Sequence, residues 1–148
     1  MSYTNLTYHV VFSTKQRRPI LTADVSERVF EYLGGIVRKL DAKLLRAGGA
    51  DDHVHLALSG PATLSVAELV RKIKANTSRW MHQKLPDQRN FAWQDGYAAF
   101  SVSASALDRV LDYIASQREH HRRMTFEEEL KALLDKRGIE YDERYICA

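Results

Sequence analysis

A chain of 148 residues, 45% apolar and 28% charged, is long enough to bury one core, and none of its apolar runs is long enough to span a bilayer, so no membrane is expected among its partners. A net charge of +3 with a pI of about 9.0 permits a nucleic-acid partner. The single Cys147 excludes an internal disulfide framework and a cysteine-based zinc site, and fits a reducing cytoplasm.

The chain opens on Met1-Ser2-Tyr3-Thr4, without the basic and apolar regions of a signal peptide. Residues 3–14 alternate as a first strand, with Leu6, Tyr8, Val10 and Phe12 on its apolar face and His9 opposite. Lys15-Gln16-Arg17-Arg18-Pro19 breaks it and gathers Lys15, Arg17 and Arg18 in one turn, where solvation and phosphate contact are equally open readings. Thr22 is placed to cap a helix running to Leu40, and a close backbone approach would explain Gly34-Gly35 inside it. Residues 42–48 make a second strand, with Gly48-Gly49 and Asp51-Asp52 supplying turn chemistry.

The next strand carries the densest chemistry. Val54, Leu56 and Leu58 point toward a core, while His53 and His55 share the other face, about 7 Å apart along the strand. Two imidazoles so placed can share one divalent ion, or can simply belong to a solvated polar face lying off the core. Asp52 can orient a histidine or shape the turn.

Ser65 and Glu68 form a capping box for a helix reaching about Lys84. Arg71, Lys72, Lys74 and Arg79 lie on its polar face, and after Glu68 no acid appears until Asp87, which favours phosphate binding over a solvated face laced with ion pairs. A loop over 85–94 and a short strand over 97–102 follow. A helix then starts at Ser105 and ends in Arg118 to Arg123, with His120 and His121 expected at the surface. Thr125 caps a last helix ending at Gly138, and a short mixed tail completes the chain.

This order predicts an α+β domain over 1–148, a ferredoxin-like βαββαβ sheet with additional C-terminal helices. Two crossover helices would cover one sheet face. The other face, with its histidines, needs a cover, and the helix from Ser105 is the candidate. Tyr113 and Gln117 fall four residues apart on it and project from one stripe.

His53-Val54-His55, Tyr113-Ile114-Ala115-Ser116-Gln117 and Phe91-Ala92-Trp93-Gln94-Asp95-Gly96-Tyr97, in this order and at these separations, resemble the HUH single-tyrosine transposases of insertion sequences, the insertion-sequence-two-hundred group. Tyr8-His9-Val10-Val11, Arg17-Arg18-Pro19 and the C-terminal Glu140 to Tyr145 extend the likeness over nearly the whole chain. The resemblance implies that His53, His55 and Gln117 bind one divalent metal, Mg²⁺ or Mn²⁺, and that Tyr113 cuts single-stranded DNA through a 5′-phosphotyrosine link. Strands are rejoined by a second transesterification, without a nucleotide cofactor. It also implies DNA hairpins as partners and a shared-sheet homodimer in which the tyrosine helix of one subunit completes the histidine site of the other. Two other readings stay open from the residues: a nucleic-acid-binding relative that moves no DNA, and a metal-dependent phosphodiesterase using water. The second needs another histidine motif, and the sequence has none.

Overall fold

A computed structural model describes residues 1–146; Cys147, on which the redox reading rested, lies outside the described residues. Four strands, β1 (Leu6–Ser13), β2 (Lys43–Ala50), β3 (His53–Gly60) and β4 (Ala98–Ser101), form one antiparallel sheet in the order β2-β3-β1-β4. The crossover helices α1 (Ala23–Lys39) and α2 (Val66–Lys84) complete the expected βαββαβ arrangement. Three short or medium helices follow: α3 (Leu107–Ala115), α4 (Gln117–His120) and α5 (Phe126–Lys136).

The helices begin where side chains can satisfy their first amides. Thr22, Ser65 and Thr125 accept from the backbone N–H of Val25, Glu68 and Glu128. Val29, Leu33 and Val37 of α1 and Leu69, Val70, Ile73 and Met81 of α2 pack on Val10, Phe12, Val54, Leu56 and Leu58 of the sheet. That is the main core, and it takes the face expected for it. The opposite face has its own smaller core, in which Phe126, Leu130 and Leu134 of α5 cover Val11 and Phe100. The helix from Ser105 does cover part of that face, resting on β2 and β3, but it shares the task with α5.

Several local expectations shift. The first strand is shorter than residues 3–14, starting at Leu6. Gly48 and Gly49 lie within β2, and the turn is Asp51-Asp52 alone, closing a hairpin that pairs Ala50 with His53. A side-chain carbon on Gly48 would overlap the Ile114 carbonyl oxygen, so the glycine lets the backbone of α3 rest on the strand. Gly34 and Gly35 have no such role. A carbon added to Gly34 meets only Leu44 Cδ2, at 4.0 Å, and one on Gly35 meets nothing within 4 Å. The helix expected from Ser105 is split. A single 3₁₀ turn (Ala104–Ala106) leads into α3, and Ser116, at φ −100° and ψ 18°, separates α3 from α4.

Candidate active site

Strand β3 turns His53 and His55 away from the main core, but not toward solvent. Both are fully buried under α3, α4 and α5. The expectation that His53 sits off the core is therefore corrected: its ring stacks on Phe126 at 4.6 Å between centroids, and its removal would open a cavity.

Each imidazole is held from behind. His53 Nδ1–H donates to Asp52 Oδ1 at 2.8 Å, so Asp52 both shapes the turn and orients the ring. His55 Nδ1 is 2.7 Å from Nε2 of His9, a buried sheet histidine one layer further from the site. The two Nε2 atoms consequently face the same space. His53 Nε2 lies 3.1 Å from Gln117 Oε1 and 3.6 Å from Glu129 Oε1, and His55 Nε2 lies 2.9 Å from Glu129 Oε1. His121 Nε2 approaches the same oxygen at 2.9 Å.

Tyr113, half-buried on α3, donates its phenol hydrogen to the second oxygen, Glu129 Oε2. The His120 ring stands beside it, 5.5 Å between centroids, with Nε2 at 3.7 Å from Glu129 Oε2. The structure thus gathers Tyr113, His53, His55, Gln117 and Asp52 within one chain. The resemblance implied that the tyrosine helix completes a partner's site; here α3 returns its tyrosine to its own histidines.

Two residues of the cluster were missed. His121 is mostly buried against the site, because the turn after α4 folds it back under α5; its ring is 4.3 Å from that of His53. Glu129 reads in sequence as one acid among three, Glu127 to Glu129, at a helix start. Its spacing carried a signal. It falls three residues after Phe126 and one before Leu130, on the stripe that faces the core, and it is 1% exposed.

Electrostatics follow from this burial. Burial holds His9 at about 3 and His55 at about 4, so both rings are neutral near pH 7, the state in which an imidazole can bind a metal. Burial tends to raise the Glu129 carboxyl, but hydrogen bonds from His121, His55 and Tyr113 outweigh it and keep it ionised. The Tyr113 phenol is pushed above its ordinary value by burial and then by the Glu129 carboxylate.

Whether these residues fit a metal can be judged from their lone pairs. The carboxylate of Asp52 accepts from His53 Nδ1, so in the neutral ring Nε2 carries a lone pair. That lone pair faces two oxygens, of Gln117 and Glu129. A cation between them relieves the opposition. One ligand atom each from His53, His55, His121 and Glu129 lie within 4.8 Å of one another. The set of buried nitrogen and oxygen donors fits a divalent ion.

The basic candidates divide. Lys15 and Arg17 are exposed on a single 3₁₀ turn (Lys15–Arg17) at the end of β1 and Arg18 is exposed just after it, with Arg17 3.9 Å from Glu127. Arg71 and Arg79 are exposed on α2 and Lys72 is half-buried; Arg71 pairs with Glu68 at 2.9 Å. Lys74 departs from the expected basic face. Its ammonium donates to the carbonyls of Gln94, at 2.8 Å, and Gly96, and partial burial lowers it to about 8. It ties the loop before β4 to α2.

Among proteins of known identity, the chain is 29% identical over 128 residues to the transposase for insertion sequence element IS200 of Salmonella typhimurium, covering 80% of each. It is 24% identical over 119 residues to the ISDra2 transposase TnpA of Deinococcus radiodurans, covering 77% of this chain and 85% of that one. Of solved structures, a Deinococcus radiodurans protein assigned as a transposase superimposes with a TM-score of 0.61 at 24% identity, over 76% of this chain and 91% of the other. A REP-associated tyrosine transposase bound to a REP hairpin gives 0.58 at 15% identity, over 77% and 67%. These two likenesses speak for the fold. Residues 2–117 match the sequence profile of the family described as Transposase IS200 like, which is most of the chain, and the protein is a member of that family of single-tyrosine DNA transposases.

Proposed function

We propose that Tyr113 is the nucleophile of strand cleavage and that His53, His55 and Gln117, joined by Glu129, hold the metal. The observation that carries this reading is the meeting of one phenol, one buried carboxylate and two imidazole Nε2 atoms in a single closed site. Tyr113 Oη attacks the scissile phosphorus. The bond between phosphorus and the 3′ oxygen breaks, leaving a 5′-phosphotyrosine and a free 3′-OH. Glu129 Oε2 is placed to take the phenol proton. A divalent ion, Mg²⁺ or Mn²⁺, supplies charge that polarises the phosphate. Attack of another 3′-OH on the tyrosine ester rejoins strands and releases the phenol. Bond energy is kept in the ester, so no nucleotide cofactor is required.

Magnitudes support the division of labour. At an ordinary pKa near 10, forming phenolate at pH 7 costs about 4 kcal/mol. Burial makes Tyr113 costlier still, so the chain alone keeps the phenol protonated. Asp52 fixes the His53 ring, and Lys15, Arg17, Arg18, Arg71, Lys72 and Arg79 offer phosphate contacts. Lys74 acts by holding its loop. By analogy with the hairpin bound to the REP-associated transposase, the DNA carries a hairpin beside its unpaired segment. Within one chain the phenol already reaches the carboxylate between the histidines, which supports cleavage by a single subunit. A homodimer brings two element ends together, and the half-exposed apolar residues Leu107, Val110 and Leu111 on α3 are surface suited to that contact.

The test is incubation of protein, Mn²⁺ and a hairpin-bearing single strand, followed by denaturing electrophoresis. The wild type should give a covalent adduct, and Tyr113→Phe should lose it more than 1,000-fold while binding DNA within about twofold of wild type. Cleavage without an adduct would mean that water is the nucleophile.

A further inference from the structure

Away from the histidines, the turn Lys15–Pro19 and the loop Pro86–Ala92 face each other across a cleft of about 580 Å³. Lys15, Arg18 and Arg89 line it against one carboxylate, Asp87. All three cations are exposed, and among the described residues none forms an ion pair; Arg18 donates only to the neutral Gln16 Oε1, at 3.2 Å. Unpaired cations around a concave, polar space mark an anion site. Gln16, Gln88 and Asn90 add amide groups that both donate and accept, the equipment for reading base edges. Ile20 and Pro86 add apolar surface against which a base can lie.

The cleft is built, not incidental. Gln16 (φ 58°, ψ 20°) and Arg17 (φ 53°) are consecutive non-glycine residues in the left-handed region, a conformation that persists only where surrounding bonds impose it. Those bonds are present. Lys15 N–H donates to Ala92 O at 2.9 Å, joining the two walls, and Thr14 Oγ1 donates to Arg18 O at 2.8 Å. Thr14 N–H donates to Asp52 O at 2.8 Å. The residue that anchors the cleft is therefore bonded to the residue that orients His53, and Ser13 pairs with His53 across the sheet. The wall of the cleft is thus tied through β1 and the Asp51-Asp52 turn to the strand that carries the histidines.

We propose that this cleft is a second nucleotide subsite, in which Lys15, Arg18 and Arg89 grip a phosphate and Gln16, Gln88 and Asn90 read the unpaired base beside it. The assignment rests on the transposase reading above, and it makes the cleft a determinant of which sequence is cut. An acidic peptide is the competing occupant for such a charge pattern. It is disfavoured because the amides, with Ile20 and Pro86 beside them, suit a base.

Binding measured without chemistry separates the two claims. In a Tyr113→Phe background, anisotropy of a fluorescent random-sequence single-stranded 20-mer is followed from 50 to 200 mM salt. Arg18→Ala with Arg89→Ala should weaken binding about tenfold at the low end and make the logarithmic salt slope shallower by about 0.7, the change expected when one phosphate fewer is neutralised. Selection from the random pool should return a different consensus for Asn90→Ala, with its salt slope unchanged. Both variants alter exposed side chains, and far-ultraviolet circular dichroism checks that they fold. An unchanged slope for the double variant, or the same consensus for Asn90→Ala, overturns the subsite. Failure of the transposase reading shows elsewhere, as a missing adduct when Tyr113 is present.

Discussion

Glu129 shows how one buried carboxylate organises chemistry it was not expected to touch. One oxygen faces His55 and His121, the other receives the phenol of Tyr113. The charge is balanced by neighbours that all serve the site, His55, His121 and Tyr113. The same burial gives the chain a pH signature. His9 and His55 titrate near 3 and 4 when folded and near 6.5 when unfolded, so the unfolded chain binds more protons in between. Stability from the pair is full above pH 6.5 and is lost as pH falls toward 4. Glu129, also lowered, acts in the same direction in more acid solution; His121, raised, opposes it, contributing below pH 6.5 and fading as pH rises. Urea unfolding in chelator should register a fall on the order of 3 kcal/mol between pH 6.5 and 4. His9→Gln should flatten that dependence, and an equally steep curve would place the titrating group elsewhere.

At the scale of elements, the strand alternation, the capping residues and the order of strands and helices were legible because each is a local pattern with its own period. The histidine pair and the Tyr113–Gln117 spacing were legible for the same reason. What sequence could not assign was tertiary in origin. Gly48-Gly49 reads as turn chemistry, since a loose chain places glycines in turns; only the arrival of α3 makes a bare strand necessary. His120-His121 reads as a charged helix end, since nothing local says that α5 will fold over it. Gly48→Ala tests the seating of α3. The added methyl meets the Ile114 carbonyl, one residue beyond Tyr113. Expected are a loss of about 1–3 kcal/mol in unfolding free energy and an adduct rate reduced about 100-fold by misplacing the Tyr113 phenol proposed as nucleophile, with DNA affinity kept. A normal adduct rate would show that α3 is not seated by the glycine.

For the whole molecule, the question is how many chains make one site. Tyr113 meets its own histidines here, whereas the resemblance implied exchange between subunits. Mixing Tyr113→Phe chains with His53→Ala chains decides between them: cleavage within one chain predicts no adduct above that of either variant alone, and adduct in the mixture means that tyrosine helices change partners. The family profile ends at residue 117, yet His121 and Glu129 lie beyond it, on the segment that roofs the second face of the sheet. The recognisable part of the chain therefore carries the phenol and the strand histidines, and the stretch after it adds the carboxylate and His121 and decides how dry the site is kept. Two proteins alike over the first stretch and unlike over the second would keep the phenol and the strand histidines but differ in the carboxylate that meets them and in when the phenol meets solvent, which makes the roof, rather than the motif, the place where such proteins can diverge.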